Sequence, residues 1–429
     1  MSDQIRDEEV AVPGFTPEVR GQVLNLLSSP RRAEAMRRNQ ARHPEVSGVT
    51  LTEIRQTLDN YVEWEAIWKA MEAQGTVDPE EPPPAGDPRN EALIAEAIHQ
   101  FQQRCFIDAE EWDGRAGEHT LDSLGLTRHR LPDSVDIANP RAQEILNDLD
   151  EDIRKATQGE FSAAKWFDHM ISPSFLGRTV KNGIHMLLAR KLRHAEKYLL
   201  SLPAYQGLPP AALGRALGIR EEHKGARPTK TQGKSMHLFG LALDVNYTGN
   251  PWVSGARDVS IVANEEFIAA VQRASWLIAG EALNFTPKYL SGLAPEPTPQ
   301  IYQLIFIKSQ NLCQYLGFVL DPEGLWQTLA RPDRPPGVVT PSESREQAVH
   351  RWQKIISQDL ENLQREDSSF AGRDPAKGFL DLHADLVTAL REHARLAWGA
   401  VDIGPRESGD MMHFDDRREG VGKLIRNHQ

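Results

Sequence analysis

The stretch SMHLFGLALD runs from Ser235 to Asp244, and its reading decides how the rest of the chain is organised. His237 stands seven residues before Asp244, with Gly240 and Ala242 between them. Leu241, Leu243 and Val245 alternate, which is the period of one face of a β-strand. The spacing therefore predicts that His237 lies just before a strand and Asp244 near its end. A histidine and a carboxylate that meet across a bend supply donor atoms suited to a divalent metal. Such a site needs a third ligand. The C-terminal run Asp410-Met411-Met412-His413-Phe414 offers one, with an acid three residues before a histidine.

SMHLFGLALD resembles the S-x-H-x-x-G-x-A-x-D signature of the zinc D-alanyl-D-alanine carboxypeptidases and L-alanyl-D-glutamate endopeptidases. These enzymes cut peptidoglycan stem peptides. The family closes its site with an acid-x-x-H motif followed by an aromatic residue, and DMMHF matches it. The resemblance spans about 200–260 and 395–415 and implies an LAS-type fold. It implies that His237, Asp244 and His413 ligate Zn2+ and that Asp410 is the general base. It also implies an upstream arginine that holds a substrate carboxylate, with Arg220 and Arg227 as the candidates. A guanidinium suits that role because it makes two parallel hydrogen bonds to a carboxylate. Arg220 is preferred because Leu217 to Arg220 reads as a short strand that it would end. Ser235 would support the backbone or a polar group of the substrate. Three protein ligands leave zinc a fourth position for water, whose pKa falls from about 15.7 toward about 7. Asp410 would take the water's proton and pass it to the leaving amine.

The implied function is hydrolysis of a D-Ala-D-Ala, L-Ala-D-Glu or cross-bridge bond, in a cell-wall-degrading effector or lysin. The alternative is a non-catalytic wall-binding component of a phage tail or contractile injection device. A third is a zinc peptidase acting on cytoplasmic dipeptides. The implied partners are stem peptides and a secretion or injection apparatus.

Composition narrows the class. The 429 residues carry 49 Lys plus Arg against 61 Asp plus Glu, a net charge of −12. Such a balance argues against general nucleic-acid binding, which needs clustered cations. A hydrophobic content of 40% reads as globular. Cys105 and Cys313 read as ordinary buried thiols rather than a disulfide framework. The first residues, MSDQIRDEEVAVPGF, lack the basic and apolar regions of a signal peptide. No run approaches the ~18 apolar residues of a membrane span. The expectation is synthesis in the cytoplasm and action in the periplasm or cell wall after non-classical export, injection or lysis.

Four regions follow in order. Residues 1–45 form an N-terminal helical segment, whose Arg31, Arg32, Arg37 and Arg38 read as a solvated basic face. Residues 46–128 form a helical domain. In it, 50–76 reads as an amphipathic helix with Thr52 as a candidate cap. The proline-rich stretch 76–90 is a loop or stiff spacer. A helix over 91–104, a glycine-bearing loop and a short helix ending at Gly125 come next. Ala97, Phe101, Gln102, Asp113, Gly114, Gly117, Thr120 and Leu124 resemble the three-helix peptidoglycan-binding repeat, while glycine turns and a miniature core account for the same residues.

Residues 129–200 read as a helical linker region, with helices over 140–158 and 182–202 and with His185 and His194 as surface or packing residues. Residues 201–429 form the zinc peptidase domain, interrupted by a helical insertion at 263–395 with proline-rich joints at 295–299 and 331–341. His350, His383 and His393 in that insertion read as packed or surface histidines. Trp252 reads as a core or cleft-wall residue. Residues 397–401 read as a strand feeding Asp410 and His413, with Phe414 packed beside the ligand. The fold class is α+β: a small antiparallel sheet with the zinc site, a large helical insertion and a helical N-terminal domain.

Overall fold

The computed structural model describes residues 14–40, 49–76, 88–126, 139–227, 235–248, 250, 265–280, 311–312, 314–334, 337–366, 382–399, 402–403 and 410–428. Trp252, Cys313, most of the proline-rich spacer and the joint at 295–299 lie outside them. The architecture is α+β. The chain divides into two compact units, one comprising 1–243 with 392–396 and 416–429, the other 244–391 with 397–415.

The first unit opens with α1 (Pro17–Gly21), α2 (Ser29–Gln40), α3 (Leu51–Leu58), α4 (Trp64–Ala73), α5 (Pro88–Cys105) and α6 (Glu118–Ser123). Two of these starts have a clear local cause. Pro17 opens α1, and Thr16 accepts the Val19 N–H there. Thr50, not Thr52, caps α3, in a reciprocal pair with Glu53. Residues 50–76 therefore form two helices rather than one, because the chain turns at Asp59–Glu63. Buried Ile94, Ala97, Ile98 and Phe101 line one side of α5 and pack with Leu58, Trp68, Met71 and Leu121. Phe15, Tyr61 and Phe101 meet ring to ring within this core.

Two polar contacts lock the module. Arg32 is buried and pairs with buried Glu96 at 2.5 Å, so it does not belong to a solvated basic face. Arg37 and Arg38 are exposed and pair with Glu34 of their own helix. Gln102 donates to the Asp113 carboxylate, the Arg115 carbonyl and the Thr120 hydroxyl, and accepts the Gly114 N–H. The repeat-like residues thus tie α5 to the loop before α6. Gly114 is left-handed at φ 71°, and an added Cβ there would lie 2.6 Å from Leu27.

Helices α7 (Pro140–Asp148) and α8 (Asp150–Ala156) follow, then β1 (Met170–Ile171), β2 (Ser174–Phe175), β3 (Arg178–Lys181) and β4 (Ile184–His185). These four strands occupy a stretch read from the sequence as helical linker. The helix expected over 182–202 begins later, as α9 (Met186–Ser201), with His185 as its N-cap. After α10 (Pro210–Ala216) the chain forms β5 (His223–Lys224) and β6 (Ala242–Asp244). Leu217 caps α10 and Arg220 lies outside any strand, so the strand expected at 217–220 is absent; β5 starts at His223.

The second unit carries α11 (Glu265–Ala279), α12 (Pro322–Leu329), α13 (Arg345–Glu366), α14 (Ala384–Thr388), β7 (Ala397–Trp398) and β8 (His413–Asp415). Buried Asp359 of α13 accepts from Arg273 Nε at 2.7 Å and from Tyr315 OH at 2.5 Å. Burial, with that carboxylate beside it, pushes the Tyr315 hydroxyl up. Buried Arg391 grips Asp402 at 2.6 and 2.8 Å, and the same carboxylate accepts the Trp398 N–H at 2.9 Å. That contact fixes the start of β7. Helix α15 (Gly420–His428) ends the described chain.

The larger sheet has strand order β2-β3-β5-β6-β8-β7, and β1 pairs with β4 separately. The sheet is mixed rather than antiparallel: β2 runs antiparallel to β3, but β3 and β5 are parallel, with Val180 opposite His223.

Candidate metal centre

The first motif is built in layers. After β5 the backbone stays beside β3: Gly225 donates to the Lys181 carbonyl and Ala226 to the Gly183 carbonyl. Arg227 then donates its N–H to the His237 carbonyl at 3.1 Å. Met236–Phe239 form a single 3-10 turn, and Gly240 ends it at φ 68°. That glycine is required twice over. Its backbone is left-handed, and an added Cβ would lie 2.5 Å from Met170 and 2.8 Å from the His185 nitrogen. Trp166 holds the same turn by donating its indole N–H to the Phe239 carbonyl at 3.0 Å.

His237 is buried, and its Nδ1 lies 2.6 Å from the Gly225 carbonyl. A carbonyl only accepts, so Nδ1 carries the proton and Nε2 keeps a lone pair for a ligand.

The second half of the site follows from strand register. Val245 donates to the Met412 carbonyl and Asp416 to the Leu241 carbonyl, which sets Asp244 opposite His413. Side chains alternate along β8, so His413 and Asp415 share one face while Phe414 turns away to stack on Trp398. The His413 imidazole therefore has a carboxylate across the strand and another along it. Asp244 Oδ1 lies 3.2 Å from Nδ1, and Asp415 Oδ2 lies 2.8 Å from Nε2. All three residues are buried.

The donor atoms of His237, Asp244 and His413 all lie within 4.8 Å of one another. Bonds of about 2.0–2.1 Å in a tetrahedral zinc site place donors about 3.3 Å apart. The 3.2 Å between His413 Nδ1 and Asp244 Oδ1 already matches that edge. The donor set, two imidazoles and one carboxylate, is one that catalytic zinc accepts. The trio fits a divalent ion.

Asp410 heads the turn that ends at His413, and its carbonyl accepts the His413 N–H at 3.2 Å. It is half-buried and stands outside the three-donor group. Gly399 lets this turn approach β7: it donates to the His413 carbonyl at 2.8 Å, and an added Cβ would meet the Asp410 carbonyl and lie 3.1 Å from the His413 Cβ. Of the two arginines, Arg227 is tied to His237 through its backbone. Arg220 is exposed, and its carbonyl accepts from Arg178. Ser235 precedes the 3-10 turn without a side-chain cap bond. His185, expected as surface or packing, is fully buried and stacked on Trp166 at 3.8 Å. Burial pushes its imidazole well below the usual range.

The sequence reading did not single out Asp415, Trp166, Gly225 or Gly399. Asp415 was visible only as an acid two residues after His413, a spacing that carries meaning once the segment is known to be a strand. Compared with family models, curated proteins and solved structures, the chain matches none.

Proposed function

We propose that the chain is a zinc peptidase that hydrolyses peptidoglycan stem peptides. One observation carries the reading: His237, Asp244 and His413, drawn from two motifs far apart in sequence, form one buried trio of donors within 4.8 Å. The order and spacing of both motifs support the peptidase assignment. When bound, zinc would supply a Lewis acid and a water of lowered pKa.

The chain's own residues would do the rest. His237 and His413 are each held by a hydrogen bond on the ring nitrogen away from the donor position. Asp410 is the proton carrier, taking a proton from water and delivering it to the leaving amine. A guanidinium near His237 would hold a carboxylate of the stem peptide, and the backbone tie to His237 supports Arg227 over Arg220. The module around Gln102 supports a wall substrate through its resemblance to peptidoglycan-binding repeats.

The test uses the full chain and defined muropeptides, with products read by mass. Metal-loaded protein is expected to release a peptide or D-alanine, and chelation to abolish the release. Asp410→Ala is expected to lose about 10²–10⁴-fold in turnover while keeping its metal. Undiminished turnover in that variant would remove Asp410 from its role. No product from metal-loaded protein would favour the non-catalytic wall-binding reading.

A further inference from the structure

We infer that Asp415 is a positioning residue for the metal centre, acting on the ion through His413. The inference rests on the metal reading of the trio and adds a role that neither motif contains. Asp415 is fully buried, and its Oδ2 lies 2.8 Å from His413 Nε2. His413 Nδ1 faces Asp244 Oδ1 at 3.2 Å. One imidazole is thus held between two buried carboxylates.

The geometry assigns the two carboxylates different work. A carboxylate on Nε2 fixes the proton there, and the Nδ1 lone pair is left pointing at Asp244. With the proton on Nε2, the Nδ1 lone pair and the Asp244 carboxylate can share a cation across that 3.2 Å gap. Asp415 would therefore select the tautomer that can ligate, hold the ring plane and raise the basicity of Nδ1.

The position is built for the task rather than reached by chance. His413 and Asp415 lie two apart on β8, on the same face. The strand is anchored on one side by the Ala397–Asp415 and Trp398–Phe414 pairing with β7. On the other, the neighbouring Asp416 donates its N–H to Leu241. Buried Asp416 also takes the Lys191 ammonium at 2.7 Å, which ties the end of the strand to α9.

The experiment measures Co2+ affinity of the full chain by competition with a chromophoric chelator, and records the visible spectrum of the bound ion. The original chain, Asp415→Asn, Asp415→Ala and Asp415→Glu are compared. Asn and Ala are expected to bind about 10–100-fold more weakly, the range for removing such a partner, with an altered Co2+ spectrum. Glu restores a carboxylate acceptor and is expected to recover part of the loss. Circular dichroism of the metal-free proteins should stay close to the original. Equal affinity and an identical spectrum in the folded Asn variant would overturn the role. So would a Glu variant no better than Ala. Failure of the unaltered chain to bind Co2+ would instead overturn the metal centre itself, and this role with it.

Discussion

At the scale of single residues, the site depends on side chains that are fixed before any ion arrives. His237 is oriented by Gly225 and His413 by Asp415, so each ring presents one defined nitrogen. His413→Ala and His237→Ala should each abolish stoichiometric Zn2+ binding in equilibrium dialysis, and retention of a full equivalent by either would exclude that residue as a ligand. Two glycines carry the same argument in backbone terms. Gly240→Ala should destabilise the chain by at least about 1 kcal/mol, the cost of a left-handed non-glycine residue, before any clash with Met170. Gly399→Ala should weaken Zn2+ affinity, because its Cβ would displace the Asp410–His413 turn. Melting curves and metal titration check both. That His237, Asp244 and His413 come together was legible in the order of the two motifs, which resemble those of one family. Asp415 was not, since the sequence does not say which acids of a Phe-Asp-Asp run point inward.

At the scale of elements, the legible parts were those with a long period. The apolar face of α5 repeats over several turns, and its core residues are buried as the spacing demands. The failures share a physical cause. Strands β1 to β4 are two to four residues long, too short for alternation to register. Their turns rest on left-handed Leu176, Gly177, Asn182 and Gly183, of which Asn182-Gly183 is a turn dipeptide visible in the sequence itself. The sequence suggests a single helix over 50–76 because apolar spacing continues across Asp59–Glu63, where the chain turns. Thr50→Ala should cost about 1 kcal/mol, since the threonine both caps α3 and takes part in a reciprocal pair with Glu53. Thr52→Ala should cost much less. Equal losses for the two in denaturant unfolding would contradict the assignment of the cap. The described parts of 263–395 are mostly helical, as their apolar spacing predicts. The tie Arg273–Asp359 within that stretch and the tie Arg391–Asp402 beyond its end join residues 86 and 11 apart, and no local pattern announces the first of them.

At the scale of the whole molecule, folding is linked to protons. Burial pushes the imidazoles of His99 and His223 down to about 4. Unfolded histidines titrate near 6.5. Above that pH both states hold these rings neutral, and the two contribute no pH dependence. Below it the unfolded chain binds protons first, so stability falls as pH drops from about 6.5 toward about 4. The slope is up to about 1.4 kcal/mol per pH unit for each ring. The metal-free protein should therefore melt lower at pH 5 than at pH 7, and a flat profile would contradict the burial of these groups. A metal that binds only the folded chain adds RT ln(1 + [L]/Kd), about 2.7 kcal/mol at 100 times Kd. Among the described residues no helix is long and apolar enough to cross a membrane. The most direct test of the central claim is anomalous diffraction at the zinc edge from crystals grown with Zn2+. The account requires one strong peak at about 2.0–2.2 Å from donor atoms of His237, Asp244 and His413. A map with no peak there, or with zinc bound by other residues, would contradict it.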